Sequence, residues 1–140
     1  GVHYHFVSKE SFLTGIEDGN FLEWAQVHND NYYGTLKAEL DRAQNQGKHL
    51  LLEIDLQGAR QVEVSLPAAI SIFIQPPSWE ELERRLRSRA TETESEIQTR
   101  LTTARRELEA ANEFDFQLVN KDLEFWAQEI IKIVKEAAND

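Results

Sequence analysis

The sequence contains no cysteine and no methionine, and it has only three prolines in 140 residues. Without cysteine it can form neither a disulfide scaffold nor a thiolate metal site, and thiol catalysis is excluded. No apolar run approaches the roughly 18 residues that a membrane-spanning helix requires, and no secretory signal pattern is present, so we expect no membrane partner and a cytoplasmic location. Because translation starts with methionine and the chain opens on a strand-like run at 2–7, we expect a further segment before it.

Basic residues are also scarce, with 15 Lys and Arg against 25 Asp and Glu, which gives a formal net charge of −10. A chain of this charge repels the phosphates of long nucleic acids, so we expect no such partner. Its arginines nevertheless concentrate in one short stretch: Arg84, Arg85, Arg87 and Arg89. Arginine presents a planar fork that suits phosphate oxygens, but glutamates directly precede the stretch, so ion pairs along a helix explain it equally well.

Hydrophobic periodicity predicts alternating strands and helices along most of the chain. The predicted strands cover residues 2–7, 21–27, 49–55, 69–74 and 116–119. The predicted helices cover residues 9–17, 36–46, 58–65, 79–89, 94–111 and 122–137, with Ser8, Thr35, Ser78 and Thr93 as capping residues. The alternation predicts an α/β fold with a parallel sheet covered by helices, and residues 1–47 form a separate lobe.

Acidic side chains stand out in two predicted strands. Glu53 and Asp55 lie two residues apart at the end of a strand, where ligands of open α/β sheets bind. They either chelate magnesium or accept hydrogen bonds from a substrate base, or they belong to a solvated strand end beside a helix cap. Glu23 is a lone acid in an apolar strand. It either accepts two N–H groups from the edge of a base or lies on an exposed face.

Two other features indicate residues that lie near a binding site. The segment NYYGT at 31–35 offers hydroxyl groups and a permissive glycine that can bind a phosphate or base oxygens, although tyrosine pairs are also common in packing. Gln75 and Asn120 follow predicted strands, so we expect both near any site at the carboxyl edge of the sheet.

Six stretches together resemble guanylate kinase, the nucleoside monophosphate kinase family that makes GDP from GMP and ATP. They are GVHYHFVS (1–8), FLEWAQVH (21–28), NYYGT (31–35), LLEIDLQGARQV (51–62), SIFIQPPSWEELERRLRSRATETESEI (71–97) and DFQLVNKDL (115–123). Their order and spacing resemble those of the bacterial-type enzymes. The resemblance implies a P-loop NTPase-like parallel sheet flanked by helices. It also implies a small mixed GMP-binding lobe at 1–47, and a core at 48–140 that carries a helical lid at about 84–106.

The resemblance also implies roles for single residues. Glu23 matches the acid that pairs with the N1 and N2 hydrogens of guanine, and Thr35 matches a hydroxyl residue near guanine O6. The GMP site that the resemblance implies comprises Tyr4, Glu23, Tyr33, Gly34, Thr35 and Asp55. On the ATP side it implies Arg85 and Asn120 as binding residues, and Arg89 and Arg100 as catalytic arginines that neutralise charge on the transferred group. The implied partners are GMP and ATP with Mg²⁺, and no residue is assigned as a metal ligand.

One part of the family pattern has no counterpart in these residues. The P-loop, G-x-x-G-x-G-K-S/T, binds the phosphates of ATP, and its strand lies mid-sheet between the strands that match 49–55 and 69–75. We therefore expect the C-terminal portion of a guanylate kinase, inactive alone, and unstable or able to associate as a homo-oligomer until the P-loop segment is supplied. The alternative is a guanylate-kinase-like module that has lost catalysis and binds phosphopeptides.

Overall fold

A computed structural model describes residues 6–27, 30–89, 91–120 and 123–138. The chain forms two compact units, residues 1–69 and 70–140. The elements of the first unit are α1 (Lys9–Glu17), β1 (Phe21–Val27), β2 (Asn31–Leu36), α2 (Lys37–Asn45) and α3 (Leu56–Ser65). Those of the second are β3 (Ile72–Gln75), α4 (Trp79–Ser88), α5 (Glu94–Glu109), a 3-10 turn (Ala111–Glu113), β4 (Phe116–Val119) and α6 (Leu123–Ala138). The predicted division into a GMP-binding lobe at 1–47 and a core at 48–140 stays a prediction.

Strands β1 and β2 form the antiparallel sheet of the first unit. The ladder pairs Glu23 with Thr35 and Trp24 with Gly34, and a bulge interrupts it between Phe21 and Glu23. The two backbones approach closely at the glycine, since a Cβ added there would lie 2.8 Å from the carbonyl oxygen of Glu23 and 3.0 Å from the Cβ of Trp24. Only glycine fits this position without moving one of the strands.

The prediction that Thr35 caps a helix at 36–46 is wrong. Thr35 belongs to β2, and α2 begins at Lys37 with Leu36 as its N-cap, which makes no side-chain capping bond. The physical reason is that β-branched and aromatic residues at 31–36 gain cross-strand partners on β1, which outweigh the capping bond. The predicted end of this helix is confirmed, because Gly47 has a φ of +65°, a conformation that glycine adopts readily.

An aromatic cluster packs α1 against the sheet. Phe12, buried on α1, stacks on Phe21 with ring centroids 4.4 Å apart and lies 5.5 Å from the ring of Tyr32. Tyr32 in turn lies 6.2 Å from Trp24. The helix starts as predicted, because the Ser8 hydroxyl accepts the backbone N–H of the third helical residue at 3.1 Å. These ring contacts hold α1 against β1 and β2.

Residues 49–55, predicted as a buried strand, have no assigned secondary structure. Their side chains still alternate between half-buried and exposed from Leu50 to Asp55, and Leu51 is 71% exposed. The run therefore keeps the two-residue period of a strand, but within the described residues no strand pairs with it. Helix α3 follows at Leu56, earlier than predicted, because the Asp55 carboxylate accepts the backbone N–H of Gly58 at 2.8 Å and caps it.

The sheet of the second unit is parallel, as predicted. Strands β3 and β4 pair from Ile72 opposite Phe116 to Gln75 opposite Val119. Their starts are pinned by Asp115, whose carboxylate accepts the backbone N–H of Ser71 at 2.9 Å and its hydroxyl at 3.2 Å. The carboxyl ends of both strands therefore lie at one edge, where Asn120 follows β4.

Helices α4, α5 and α6 complete the second unit. Thr93 and Glu96 form the predicted capping box at the start of α5, with both reciprocal bonds present. Ile133 of α6 is buried, as its apolar stripe predicts. Among the described residues, no helix combines the length and apolar composition needed to cross a bilayer.

We expect Gly34→Ala to lower the free energy of unfolding by about 1–3 kcal/mol, because the new Cβ meets backbone of β1 that cannot move aside cheaply. Urea unfolding followed by circular dichroism measures the loss. Gly15→Ala is the control for an added methyl group, since its Cβ meets a side chain, the ring of Phe21 at 3.0 Å, and no backbone, and alanine favours helix α1. Equal stability of Gly34→Ala and the parent chain would contradict the close approach.

Candidate functional site

Among the described residues of the first unit, Glu23 is the charged side chain that is buried, with only 9% of its surface exposed. The hydroxyl of Thr35, its partner in the ladder, donates to Oε1 at 2.7 Å. Among the described residues, we find no hydrogen bond to Oε2. The carboxylate therefore does not lie on an exposed face, and it is oriented by one fixed bond while its second oxygen keeps its capacity to accept.

Thr35 has one hydroxyl proton, and in this geometry it goes to Glu23. Guanine O6 is an acceptor, so Thr35 cannot donate to it without giving up the bond to the carboxylate. In this structure Thr35 therefore orients the Glu23 carboxylate.

Asp55 lies beside the same carboxylate. A Cβ built on the buried Gly58 would be 3.1 Å from Glu23 Oε2 and 3.3 Å from Asp55 Oδ1, so the two acids flank this glycine. Asp55 already accepts the amide of Gly58, which confirms the helix-cap alternative for its Oδ1. Both acids lie at the first turn of α3, where the partial positive charge of the helix favours negative groups. Glu53 is exposed two residues earlier.

Helix α3 also holds the edge of β1 that β2 leaves free. The side-chain amide of Gln61 donates to the carbonyl of Trp24 at 2.7 Å and accepts its backbone N–H at 2.9 Å. The hydroxyl of Ser65 donates to the carbonyl of Leu22 at 3.1 Å. Sequence reasoning missed both residues. Their spacing places them with Gly58 on one face of α3, which was the available signal.

The remaining residues of the expected GMP site lie on β2 or outside the described residues. Tyr33 is 53% exposed, whereas its neighbour Tyr32 packs in the aromatic cluster. Gly34 adjoins both Tyr33 and Thr35. Tyr4 and most of the predicted strand at 2–7 lie outside the described residues. The structure thus brings Glu23, Thr35 and Asp55 together. Tyr33, two residues before Thr35, has a largely exposed side chain.

The arginine-rich stretch of the second unit forms a network of ion pairs. Glu81 accepts from Arg84 at 2.6 Å and from Arg85 at 3.0 Å. Arg87 pairs with Glu83 on its own helix and, at 2.6 Å, with Glu94 at the start of α5. The helix ion pairs that the sequence offers as one interpretation are therefore present, and one of them joins α4 to α5.

Arg100 and Arg89, the expected catalytic arginines, differ in their surroundings. Arg100 on α5 pairs with Glu92 at 2.7 Å; the other oxygen of Glu92 is buried and has no partner among the described residues. Arg89 is the C-cap residue of α4, is exposed, and forms no ion pair with the residues that the structure describes. Arg105 lies 4.6 Å above the ring of Trp79 and so packs α5 on α4.

Asn120 lies at the carboxyl edge of the parallel sheet. Its backbone N–H donates to the carbonyl of Gln75 at 2.8 Å, and its side chain is exposed. The described residues bring together no group of three His, Cys, Asp or Glu side chains that could hold a metal ion.

The ion pairs shift the acidity of two glutamates. Hydrogen bonding from Arg84 is the largest cause that lowers the pKa of Glu81 to about 2; desolvation opposes the shift, and hydrogen bonding from Arg85 adds to it. Hydrogen bonding from Arg87, followed by that from Gln98, lowers the pKa of Glu94 to about 2. The same bonds raise the pKa of Arg87 above its ordinary value, so these groups remain charged at neutral pH.

Comparison with known proteins decides the family. The family model for guanylate kinase matches residues 1–138. The chain belongs to the guanylate kinase family. It is 49% identical over 134 residues to guanylate kinase of Leifsonia xyli and 51% identical over 132 residues to that of Synechococcus sp. CC9311.

The fold agrees with this membership. A crystal structure of guanylate kinase from Anaplasma phagocytophilum matches 97% of the chain with a TM-score of 0.73 and 34% sequence identity. The expectation of a P-loop NTPase-like α/β fold is thereby confirmed. The chain spans 53% of the Leifsonia guanylate kinase, 69% of the Synechococcus one and 65% of the Anaplasma chain.

We expect the carboxyl carbons of Glu81 and Glu94 to titrate with midpoints near 2 in an NMR experiment. Because the pKa values lie below the ordinary 4.5, these pairs stabilise the fold above about pH 4.5, and their contribution disappears as the pH falls towards 2. Arg87→Gln should raise the midpoint of Glu94 and leave that of Glu81 unchanged. Midpoints near 4.5 for both glutamates in the parent chain would contradict the network.

Proposed function

We propose that this protein transfers the γ-phosphoryl group of ATP to GMP, giving ADP and GDP. The observation that carries the proposal is the carboxylate of Glu23, which is 9% exposed, fixed by Thr35 at 2.7 Å, and supplied with a second oxygen that remains able to accept. Family membership supports the reaction type, and the geometry of the first unit supports the choice of acceptor nucleotide.

A buried carboxylate selects guanine by its hydrogen-bonding pattern. Guanine presents N1–H and a 2-amino group as adjacent donors, which suit two oxygens that can only accept. Adenine presents an acceptor at N1, so the lone pairs of N1 and of the Glu23 carboxylate would repel each other and no hydrogen bond would form. Sites built on such bonds discriminate strongly, because the wrong ligand leaves a buried polar group unpaired.

For the phosphate of GMP, we propose Tyr33, Gly34 and Tyr4. The side chain of Tyr33 is 53% exposed and carries a hydroxyl that can donate to a phosphate oxygen, and Gly34 is assigned on the family resemblance. The assignment of Tyr4 is supported by the family resemblance alone. Asp55 completes the proposed site, because its carboxylate lies beside that of Glu23 across Gly58.

For ATP, we propose Arg85, Arg89, Arg100 and Asn120. Arg89 is exposed and has no ion pair among the described residues, so it is available to neutralise the transferred group. Arg85 and Arg100 would exchange their glutamate partners for phosphate oxygens.

Mg²⁺ would accompany ATP and neutralise its phosphates. Since the described residues bring together no group of three metal ligands, we assign no residue to the ion, and it would depend chiefly on the phosphates and water. The reaction needs no covalent intermediate with the protein: a phosphate oxygen of GMP bonds to the γ-phosphorus as the bond to ADP breaks. We propose a cytoplasmic location on the family resemblance.

Titration of the chain with GMP and with AMP, followed by tryptophan fluorescence, tests guanine recognition directly. Trp24 adjoins Glu23 and reports on the site. We expect saturable binding of GMP and none of AMP, and Glu23→Gln should weaken GMP binding at least about tenfold, because it replaces a charged acceptor.

Glu63→Gln is the matched control, because Glu63 is exposed on α3 and the change removes the same charge. Equal binding of GMP and AMP, or full GMP affinity in Glu23→Gln, would contradict the assignment. Binding of a phosphopeptide that GMP does not displace would favour the non-catalytic module instead.

A further inference from the structure

The side chain of Gln61 binds the free edge of β1 beside Glu23, with the pair of hydrogen bonds that a neighbouring strand would make. The amide of Gln61 donates to the Trp24 carbonyl at 2.7 Å and accepts the Trp24 N–H at 2.9 Å. A β-ladder satisfies an edge residue with the same two bonds. Since Trp24 directly follows Glu23, this pair of bonds fixes the backbone on one side of the buried acid.

The backbone on the other side of Glu23 is irregular. The bulge between Phe21 and Glu23 takes Leu22 out of the ladder with β2, and the Leu22 carbonyl is instead bound by the Ser65 hydroxyl at 3.1 Å. Bulges redirect the side chains that follow them, and they often lie next to functional sites. Helix α3 therefore supports β1 on both sides of Glu23, along the edge that β2 does not occupy.

The first turn of the same helix also packs close to the Glu23 carboxylate. A Cβ built on Gly58 would lie only 3.1 Å from Glu23 Oε2, so the first turn of α3 lies close against the oxygen that remains free to accept. A shift of α3 along β1 would change both the backbone direction at Glu23 and the space around Oε2. The register of the helix on the strand thus sets the geometry of the acceptor.

We propose that Gln61 is a positioning residue that sets the Glu23 carboxylate for guanine, by locking helix α3 in register on the edge of β1. The inference deepens the proposed function and depends on it for the identity of the ligand. The positioning itself does not depend on GMP, so it can be observed without any nucleotide.

The chemistry of the amide explains why this residue is suited to the role. Glutamine is neutral and carries both a donor and an acceptor, so it can satisfy the N–H and the C=O of one residue together. In Gln61→Glu the size is retained, but a carboxylate oxygen would face the Trp24 carbonyl and repel it. Gln61→Glu should therefore disturb the register while filling the same volume, whereas Gln61→Ala removes both bonds.

The test combines the ¹³C resonance of the Glu23 carboxyl carbon with GMP affinity in the 140-residue chain. We compare the parent with Gln61→Ala, Gln61→Glu and Gln57→Ala, the last being an exposed glutamine of the same helix. We expect both Gln61 variants to shift the Glu23 resonance and weaken GMP binding about tenfold, through lost hydrogen bonds, while Gln57→Ala changes neither.

A double-mutant cycle with Glu23→Gln separates positioning from general destabilisation. If Gln61 acts through Glu23, Gln61→Glu should cost almost nothing further in GMP affinity once Glu23 is changed. Independent, multiplied losses would overturn the inference, as would an unmoved Glu23 resonance in both Gln61 variants. If the parent chain binds no GMP while the resonance still moves, guanine recognition fails for this chain and the positioning by Gln61 stands.

Discussion

The carboxylate of Glu23 is nearly buried, and a buried carboxylate is costly unless hydrogen bonds or charges compensate it. Thr35 supplies one bond from β2, and the first turn of α3 supplies a favourable electrostatic environment. Both require that β1 lie between β2 and α3 in a fixed register, which Gly34 permits on one side and Gln61 secures on the other. The packing of the first unit is in this way organised around one acid.

The second unit handles charge in the opposite way. Acids and arginines of α4 and of the start of α5 lie at or near the surface and neutralise one another, as between Glu81 and Arg84 or between Arg87 and Glu94. Such exposed pairs add little stability individually and weaken with salt. A nucleotide phosphate carries more charge than a single carboxylate, so it can compete for arginines that are held this weakly. Arg89, exposed at the end of α4, offers the least competition.

Local signals in the sequence predicted the helices and the parallel sheet well. The caps at Ser8 and Thr93 act over three residues, and their sequence spacing is enough to specify them. Strand β2 and the edge contacts of Gln61 could not be predicted in this way, because they depend on partners distant in sequence. Thr35 is an example: its residue type favours a helix cap, but its hydroxyl donates instead to the buried carboxylate of Glu23, twelve positions away. Residues 49–55 have a strand pattern without a paired neighbour in the described part of the chain.

In the proposed complex, the Glu23 carboxylate accepts the N1–H and amino protons of guanine. An NMR spectrum of ¹⁵N-labelled GMP bound to the chain tests it most directly. We expect a sharp N1–H proton resonance, protected from solvent exchange and shifted downfield by a charged acceptor, which disappears in Glu23→Gln. If GMP at saturation shows no protected N1–H resonance, Glu23 does not bind guanine in this way.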